Sequence, residues 1–249
     1  MINTMRKWFK LKNGVGWKRT FLLFAACLCT LAGCHPLQGA GNEKNVSYER
    51  NFEIIGPERD ELIGNVNQAL FNTVDRSNER IGESTAPIMS KDGKRFSLLS
   101  GRYLLHGYPV GNVFIYDKKG DLIIREIVGG SGGVRSLTMD IDKTYSIHVD
   151  GGYAAITAEP HPTMFSNELT AGIWEVGLDI EAGDYVVTSP WGLGYLEIHD
   201  KGEEPRLYEI IGGDGIKSES RVTLTDGQIL RITKVSMVEF APLDGRSDE

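Results

Sequence analysis

The residues most able to do chemistry near the start of this chain are three cysteines, Cys27, Cys29 and Cys34. A thiol can serve as a nucleophile, a metal ligand or half of a disulfide. The first 33 residues hold six Lys and Arg and no Asp or Glu, and an apolar run covers residues 21–32. A basic stretch followed by about 7–15 apolar residues and then small residues is typical of a secretory signal peptide. A membrane span would need about 20 apolar residues, so we expect a signal peptide over residues 1–33.

The four residues Leu31-Ala32-Gly33-Cys34 at the end of that run resemble the lipobox of bacterial lipoproteins. The resemblance implies that the Cys34 thiol receives a diacylglyceryl group and that cleavage follows Gly33, which makes Cys34 the new N-terminus. Cys27 and Cys29 would leave with the signal peptide. Two acyl chains hold a protein on a membrane far more firmly than one. The implied partners are the membrane, through that lipid, and the enzymes that process lipoproteins.

The charge balance argues against one class of partner. The whole chain carries 27 Lys and Arg against 34 Asp and Glu, and without residues 1–33 it carries 21 against 34, a formal net charge of −13. Nucleic-acid binding proteins normally present a basic face to the phosphates. We therefore expect no nucleic-acid partner, and attachment to the membrane by acyl chains rather than by charge.

The histidines do not form a known metal or catalytic pattern. They are His35, His106, His148, His161 and His199. None has the H-x-H or H-E-x-x-H spacing of a zinc site. Because His148 and His199 fall on the polar side of predicted strands, we expect both to be solvated.

The acidic residues and the glycine-rich stretch also have plainer explanations than catalysis. Glu126 and Glu209 fall at matching places in a repeat described below, and each suits a salt bridge or a turn cap better than a glycosidase pair. The GGSGG stretch at 129–133 is flanked by strand-like sequence on both sides, which favours a glycine turn over a phosphate-binding loop. Asp140, Asp142 and Asp150 do not match a calcium loop. We expect no catalytic residue, no metal and no cofactor.

Aromatic residues offer a candidate binding surface. Trp191 and Tyr195 lie in or near the loop SPWGLGY, and exposed rings on a β-domain can anchor a protein or stack on a sugar. Trp174 falls on a predicted strand, where packing in the core is the simpler expectation. For Trp191, between Pro190 and a glycine, core packing and binding are equally open.

The segment before the β-rich region divides into two parts. Residues 34–56 are polar and rich in Gly and Asn, which predicts a flexible tether. Residues 57–80 begin with Pro57 and several acids, and apolar residues recur there every four positions from Leu62 to Val74. This spacing predicts one amphipathic helix over residues 57–80, which we expect to pack on the domain that follows.

From about residue 96 the sequence repeats itself. The stretch SGRYLLHGYPVGNVFIYDKKG from Ser100 aligns with AGDYVVTSPWGLGYLEIHDKG from Ala182 when one gap is allowed, and EIVGGSGG at 126–133 matches EIIGGDGI at 209–216. The period is about 83 residues, and short alternating runs between glycine turns predict strands. The sequence therefore predicts a mostly β fold made of two tandem β-sandwich-like or jelly-roll-like repeats, each of about six or seven strands.

The boundaries of this organisation follow from the alignment. The first repeat covers residues 96–158, the second covers residues 170–243, and a proline-containing linker spans residues 159–169. GIWEVGLDIEAGDYVV at 172–187 resembles a G-x-W/Y-x-V-G-x-D-I-x-A-G-x-Y module of secreted proteins and lipoproteins of Gram-positive bacteria. The resemblance carries no defined activity. With the long basic N-terminal region, it favours a Gram-positive cell, with the protein on its membrane and facing outside the cytoplasm.

These observations favour a lipid-anchored, non-enzymatic protein that binds or presents a partner at the cell envelope, either an envelope protein or a wall polysaccharide. The alternative is an accessory subunit of an envelope enzyme or transporter, docked through the acidic surface and the Trp191 loop. A stand-alone hydrolase is the weakest hypothesis.

Overall fold

The computed structural model of the chain describes residues 40–77, 84–87, 92–130, 132–215 and 217–243. Contacts divide the chain into two units, Met1–Glu43 and Lys44–Glu249. The predicted signal peptide and Cys34 lie outside the described residues, so both stay predictions. The predicted mostly β fold is confirmed, because the described residues form two sheets and two short α-helices.

The first helix lies where we predicted a tether. Helix α1 (Ala40–Asn51) is followed by the two-residue strand β1 (Glu53–Ile54), which pairs with the body of the fold. The Asn51 side chain exchanges hydrogen bonds with the Arg221 backbone at 2.6 and 2.9 Å, and the Ser220 hydroxyl donates to the Asn51 carbonyl at 2.9 Å. The Tyr48 hydroxyl also hydrogen-bonds Glu209. The segment is therefore ordered by contacts with distant residues, and its polar composition carries no sign of them.

The second helix is much shorter than the predicted helix over residues 57–80. Helix α2 (Pro57–Ile63) ends at Gly64, which has a φ of +66°, a conformation that favours glycine. A separate 3-10 helix covers Gln68–Phe71, and the Asn67 side chain caps it by accepting the Ala69 N–H at 2.8 Å. The apolar spacing was right about burial only in part: Leu70 and Val74 are buried and Val66 is half-buried, but Leu62 is 45% exposed.

Fourteen further strands follow in the described residues. They are β2 (Ser84–Pro87), β3 (Lys94–Phe96), β4 (Gly101–Tyr108), β5 (Gly111–Tyr116), β6 (Leu122–Val128), β7 (Leu137–Ile141), β8 (Ser146–Gly151), β9 (Ala155–Pro160), β10 (Glu168–Glu175), β11 (Gly183–Thr188), β12 (Gly192–His199), β13 (Arg206–Gly212), β14 (Ser220–Leu224) and β15 (Ile229–Pro242). Strand β14 alternates buried and exposed residues and β5 alternates buried and half-buried ones, which is the period-two pattern of a strand with one buried face.

The larger sheet runs in the order β1-β13-β12-β15-β10-β7-β4-β9-β2, with β11 paired to β14 and to β15. The smaller sheet runs β3-β8-β5-β6. Strands β10 and β7 form a parallel pair at Gly172 and Thr138, which joins the two halves of the chain. A Cβ on Gly172 would lie 1.9 Å from the Thr138 carbonyl oxygen, so this close approach requires glycine.

The pairing scheme of the first half recurs in the second. Strand β4 pairs with β7 and β9, and β5 pairs with β6 and β8. Correspondingly, β11 pairs with β14 and the last residues of β15, and β12 pairs with β13 and the first residues of β15. Each half has its own buried apolar cluster, one around Leu105 and Ile147 and the other around Leu196 and Phe240.

Candidate binding cleft

A cleft of about 1460 Å³ opens between the two halves of the fold. One wall is β6 with the turn that precedes it, and the facing wall is formed by residues of β12 and β15. Residues 62–69, which follow directly from α2, line a third side. The cleft therefore depends on three parts of the chain that are far apart in sequence.

Strand β6 presents a free edge, because β5 is its only strand neighbour among the described residues. The Ile127 N–H donates to the Glu126 carboxylate at 2.9 Å, and the Ile127 carbonyl accepts the Val134 N–H at 2.8 Å. The Ile127 backbone therefore points away from β5. In an antiparallel ladder, alternate residues face the same edge. The Arg125 backbone, two residues earlier in the same register, therefore also points outward.

The other end of this edge is covered by a side chain. The Asn67 amide donates to the carbonyls of Asp121 and Leu122, each at 3.2 Å. The Asn67 amide covers one end of the β6 edge and the Glu126 carboxylate covers the other, at Ile127. Between them the outward backbone groups of Arg125 are uncovered. These groups lie within the lining of the cleft.

Glu126 is buried at the floor of the cleft, with 5% of its surface exposed. Its carboxylate accepts the backbone N–H of Ile127 and, at 2.7 Å, that of Lys234 on β15. Burial raises the pKa of the Glu126 carboxyl, and the two N–H donors oppose that rise. The residue thus fastens β6 to the second half of the fold through backbone groups.

A second buried carboxylate, Glu197, lies on the facing wall. The Arg231 guanidinium is 2.7 Å from it and the His199 Nε2 is 2.9 Å from it. His199 is 2% exposed, so our prediction of a solvated histidine was wrong for this residue. The period-two assignment placed its side chain with Glu197 on one face of β12, but that face carries a buried polar group in which Arg231 also donates to the Ile63 carbonyl at 3.3 Å.

The acidic side chains of the cleft accept hydrogen bonds from neighbouring residues. Asp117 accepts the N–H groups of Lys119 and Asp121 at 2.8 and 3.0 Å; burial raises its pKa, and these hydrogen bonds outweigh that rise and hold it below its usual value. The Thr144 hydroxyl and N–H lower the pKa of Asp142 in the same way. Most acids of the lining are therefore occupied by internal donors.

The cationic side chains of the lining are exposed instead. They are Lys118, Lys119, Arg125 and Lys234. The Arg125 guanidinium lies 5.2 Å from the centre of the Phe114 ring, and the Lys234 ammonium lies 4.9 Å from the centre of the Tyr195 ring. Contacts of this kind orient a cation and leave its charge available to a ligand. The exposed charged side chains of the lining are thus these four cations and one acid, Asp121.

The two aromatic residues predicted to bind a partner lie in different places, one inside the lining of the cleft and one outside it. Tyr195 is half-buried in the lining, and burial raises the pKa of its hydroxyl. Trp191 lies outside the lining, is 42% exposed and has the Arg135 guanidinium 4.8 Å from its ring centre. Trp174 is buried, as core packing predicts, and its Nε1 donates to the Thr170 carbonyl at 2.8 Å.

A buried ionic cluster lies at the junction of the two halves, and the sequence patterns did not indicate it. Arg102 is fully buried and lies 2.9 Å from Asp140 and 3.1 Å from Asp179. Arg76 also contacts both acids, at 2.6 and 3.0 Å, and Glu175 lies 3.8 Å from it. Asp179 is the aspartate of the V-G-L-D-I stretch at 176–180, and its place in the pattern which that stretch resembles was the one available signal.

No protein-family model matches the chain, and no curated protein matches it either. Across the part of the chain that the structure describes, no helix is both long enough and apolar enough to cross a membrane. Within those same residues, His, Cys, Asp and Glu do not gather in groups of three or more placed to hold a metal ion.

Proposed function

We propose that this chain is a lipid-anchored extracytoplasmic protein that binds a partner at the cell envelope without catalysing a reaction. The observation that carries the binding role is the cleft, with its free strand edge and its exposed cations. The anchor rests on the sequence alone, through Leu31-Ala32-Gly33-Cys34 at the end of a basic and then apolar segment.

The size and the chemistry of the cleft both favour binding of a macromolecule. Pockets for small molecules enclose about 300–1,000 Å³, and this cleft of about 1460 Å³ is larger. The two buried carboxylates of the lining, which an acid–base mechanism would need free, are each held by neighbours: Glu126 by backbone N–H groups and Glu197 by Arg231 and His199. Such fixed partners are typical of groups that hold a structure together.

We also propose that the two halves arose by duplication of one module, with copies at residues 96–158 and 170–243. The shared strand-pairing scheme supports this proposal, and so do two matched tyrosines. The Tyr103 hydroxyl donates to the carbonyl of Leu99 at 3.0 Å, and the Tyr185 hydroxyl donates to the carbonyl of Glu181 at 2.9 Å. In both cases the acceptor lies four residues before the tyrosine.

Matched glycines give independent support for the duplication. A Cβ on Gly129 would lie 2.2 Å from the carbonyl oxygen of Gly107, and a Cβ on Gly212 would lie 2.4 Å from that of Ser189. The sequence alignment pairs Gly129 with Gly212 and Gly107 with Ser189. Equivalent glycines thus meet equivalent carbonyls, although the residues that carry those carbonyls differ. In this interpretation the cleft is formed between the copies, so one copy alone would lack it.

The anchor is tested by metabolic labelling. Cells that express the chain are fed a labelled fatty acid, and we expect label on the wild-type protein and none on Cys34→Ala, which should also accumulate as a longer precursor. Label retained by the variant would refute the lipidation.

The binding role is tested by photo-crosslinking in intact cells. A photoreactive residue at position 118, in the cleft, is compared with one at position 201, the matching turn of the second copy, which lies outside the lining. We expect a discrete envelope product from position 118 alone, and its composition would distinguish a protein from a wall polysaccharide. Equal products at both positions, or none at either, would contradict a binding role for the cleft.

A further inference from the structure

The lining of the cleft also indicates what kind of partner it suits. We propose that the cleft binds an extended acidic polypeptide segment, which adds as a strand to the free edge of β6. The proposal rests on the binding role proposed above and names the chemistry of the partner.

The edge requires a partner that both donates and accepts hydrogen bonds. The outward backbone of Arg125 carries one N–H donor and one C=O acceptor, and no other strand pairs with it in the described residues. A polypeptide strand supplies both complementary groups at the spacing of a β-ladder. A phosphate polymer supplies acceptors only, so it would leave the Arg125 carbonyl without a donor.

The length of the open edge suits a short recognition segment. Strand β6 has seven residues, and its two ends are already covered by the Asn67 amide and the Glu126 carboxylate. These covers limit which register a new strand can adopt, since register in a sheet is otherwise free to slip. They also protect the edge against indiscriminate pairing with other chains, which open edges invite.

The charge of the lining selects among polypeptides. Lys118, Lys119, Arg125 and Lys234 are exposed around the edge, whereas Asp121 is the one fully exposed acid of the lining. Glu126 and Glu197 are buried, and Asp117 and Asp142 are half-buried. An added strand would present its side chains alternately to the two sides of the sheet. Acidic residues at alternate positions would therefore meet these cations, and lysine-rich segments would be repelled.

The test uses the full chain in detergent and a nine-residue peptide of alternating Thr and Glu with blocked ends. We expect saturable binding that weakens as NaCl rises from about 0.05 to about 0.5 M, because salt screens exposed charges. A peptide in which Lys replaces Glu should not bind. On binding, hydrogen exchange of the Arg125 amide should slow, since that N–H would gain an acceptor.

Variants distinguish the contribution of charge from the contribution of backbone hydrogen bonds. Lys118→Glu should weaken binding about fivefold, whereas Lys201→Glu, at the matching turn of the second copy, should leave it unchanged. Arg125→Ala removes the charge and keeps the N–H, while Arg125→Pro removes both, so Arg125→Pro should bind about fivefold more weakly than Arg125→Ala. If the proline variant fails to fold, the same question is answered by N-methylation of alternate peptide residues, which should abolish binding to the wild type.

Three results would overturn the proposal. The first is no binding of the acidic peptide, the second is equal binding of the N-methylated peptide, and the third is equal loss in the two lysine variants. Sodium polyphosphate bound as tightly as the peptide would assign the cleft to anionic polymers instead. If crosslinking from position 118 still captures an envelope partner in any of these cases, the binding role stands and only the acidic strand is refuted.

Discussion

Asp179 is the most deeply buried acid of the ionic cluster at the junction of the two halves. It is 1% exposed and lies 3.0 Å from Arg76 and 3.1 Å from the fully buried Arg102. Its second oxygen accepts the Glu175 N–H at 2.8 Å, which shapes the turn after β10. Asp179→Ala would therefore leave two arginines with Asp140 as their main acid and would also leave a backbone N–H without its acceptor.

The expected cost of Asp179→Ala is large, because an acid is removed while the arginines that it neutralises remain buried. Breaking a buried ion pair by removal of one partner costs about 3–5 kcal/mol. Asp179→Asn keeps an oxygen for the Glu175 N–H and loses only the charge, so we expect it to cost about 1–3 kcal/mol less than the alanine change. The alanine variant should thus lose a substantial part of the free energy of unfolding, which is about 5–15 kcal/mol for most domains.

Equilibrium urea unfolding of the full chain measures this loss. Tryptophan fluorescence is a suitable signal, because the Arg102 guanidinium lies 4.7 Å from the centre of the buried Trp174 ring. The matched control is Asp60→Ala, which removes an exposed acid 2.7 Å from Arg59 and should cost less than about 1 kcal/mol. If Asp179→Ala costs no more than Asp60→Ala, the ionic cluster does not hold the two halves together.

Two further predictions concern the free energy of unfolding. The pKa of Glu126 is raised in the folded state, so the wild type binds more protons folded than unfolded and loses stability as pH rises from about 4.5 towards that raised pKa. Glu126→Gln lacks this titrating carboxyl, so the free energy of unfolding of the variant should rise relative to that of the wild type from pH 4 to pH 7 in urea titrations. A difference between the two proteins that does not change with pH would contradict a raised pKa. Gly212→Ala should cost about 1–3 kcal/mol, because its Cβ would meet the Ser189 carbonyl at 2.4 Å. Gly183→Ala, whose Cβ has no neighbour nearer than 3.5 Å, is the control, and an equal effect of both changes on the urea midpoint would argue against the contact.

The sequence predicted burial correctly where the pattern of apolar residues along a single strand determines it. Alternation marked Tyr145, Ile147 and Val149 as one buried face, and all three are buried. Trp174 was assigned to the core for the same reason. These signals work because a strand with one buried face needs an apolar residue at every second position, whatever the strand packs against.

Features fixed by distant contacts were not predictable in this way. Helix α1 is polar, and its end is held by Ser220 and Arg221, about 170 residues further along the chain. The apolar period from Leu62 to Val74 predicted the burial of Leu70 and Val74 correctly, but Leu62 is exposed. The period also overstated the length of the helix, since Gly64 and Asn67 interrupt it with their own local geometry. Propensity and period describe neighbours in sequence, and tertiary contacts override them.

The candidate cleft shows the same limit at the level of the whole fold. A repeat in the sequence suggests that two copies exist, but it contains no information on which face of one copy meets which face of the other. That choice is made here by the Gly172–Thr138 pair, by Asp179 between Arg76 and Arg102, and by the Glu126 carboxylate on the Lys234 N–H. Under the proposed duplication, Gly172, Asp179 and Lys234 belong to the second copy and their partners Thr138, Arg102 and Glu126 to the first, so each of these contacts uses different residues on its two sides. Lys234, whose ammonium lies 4.9 Å from the centre of the Tyr195 ring, takes part in both the junction and the cleft.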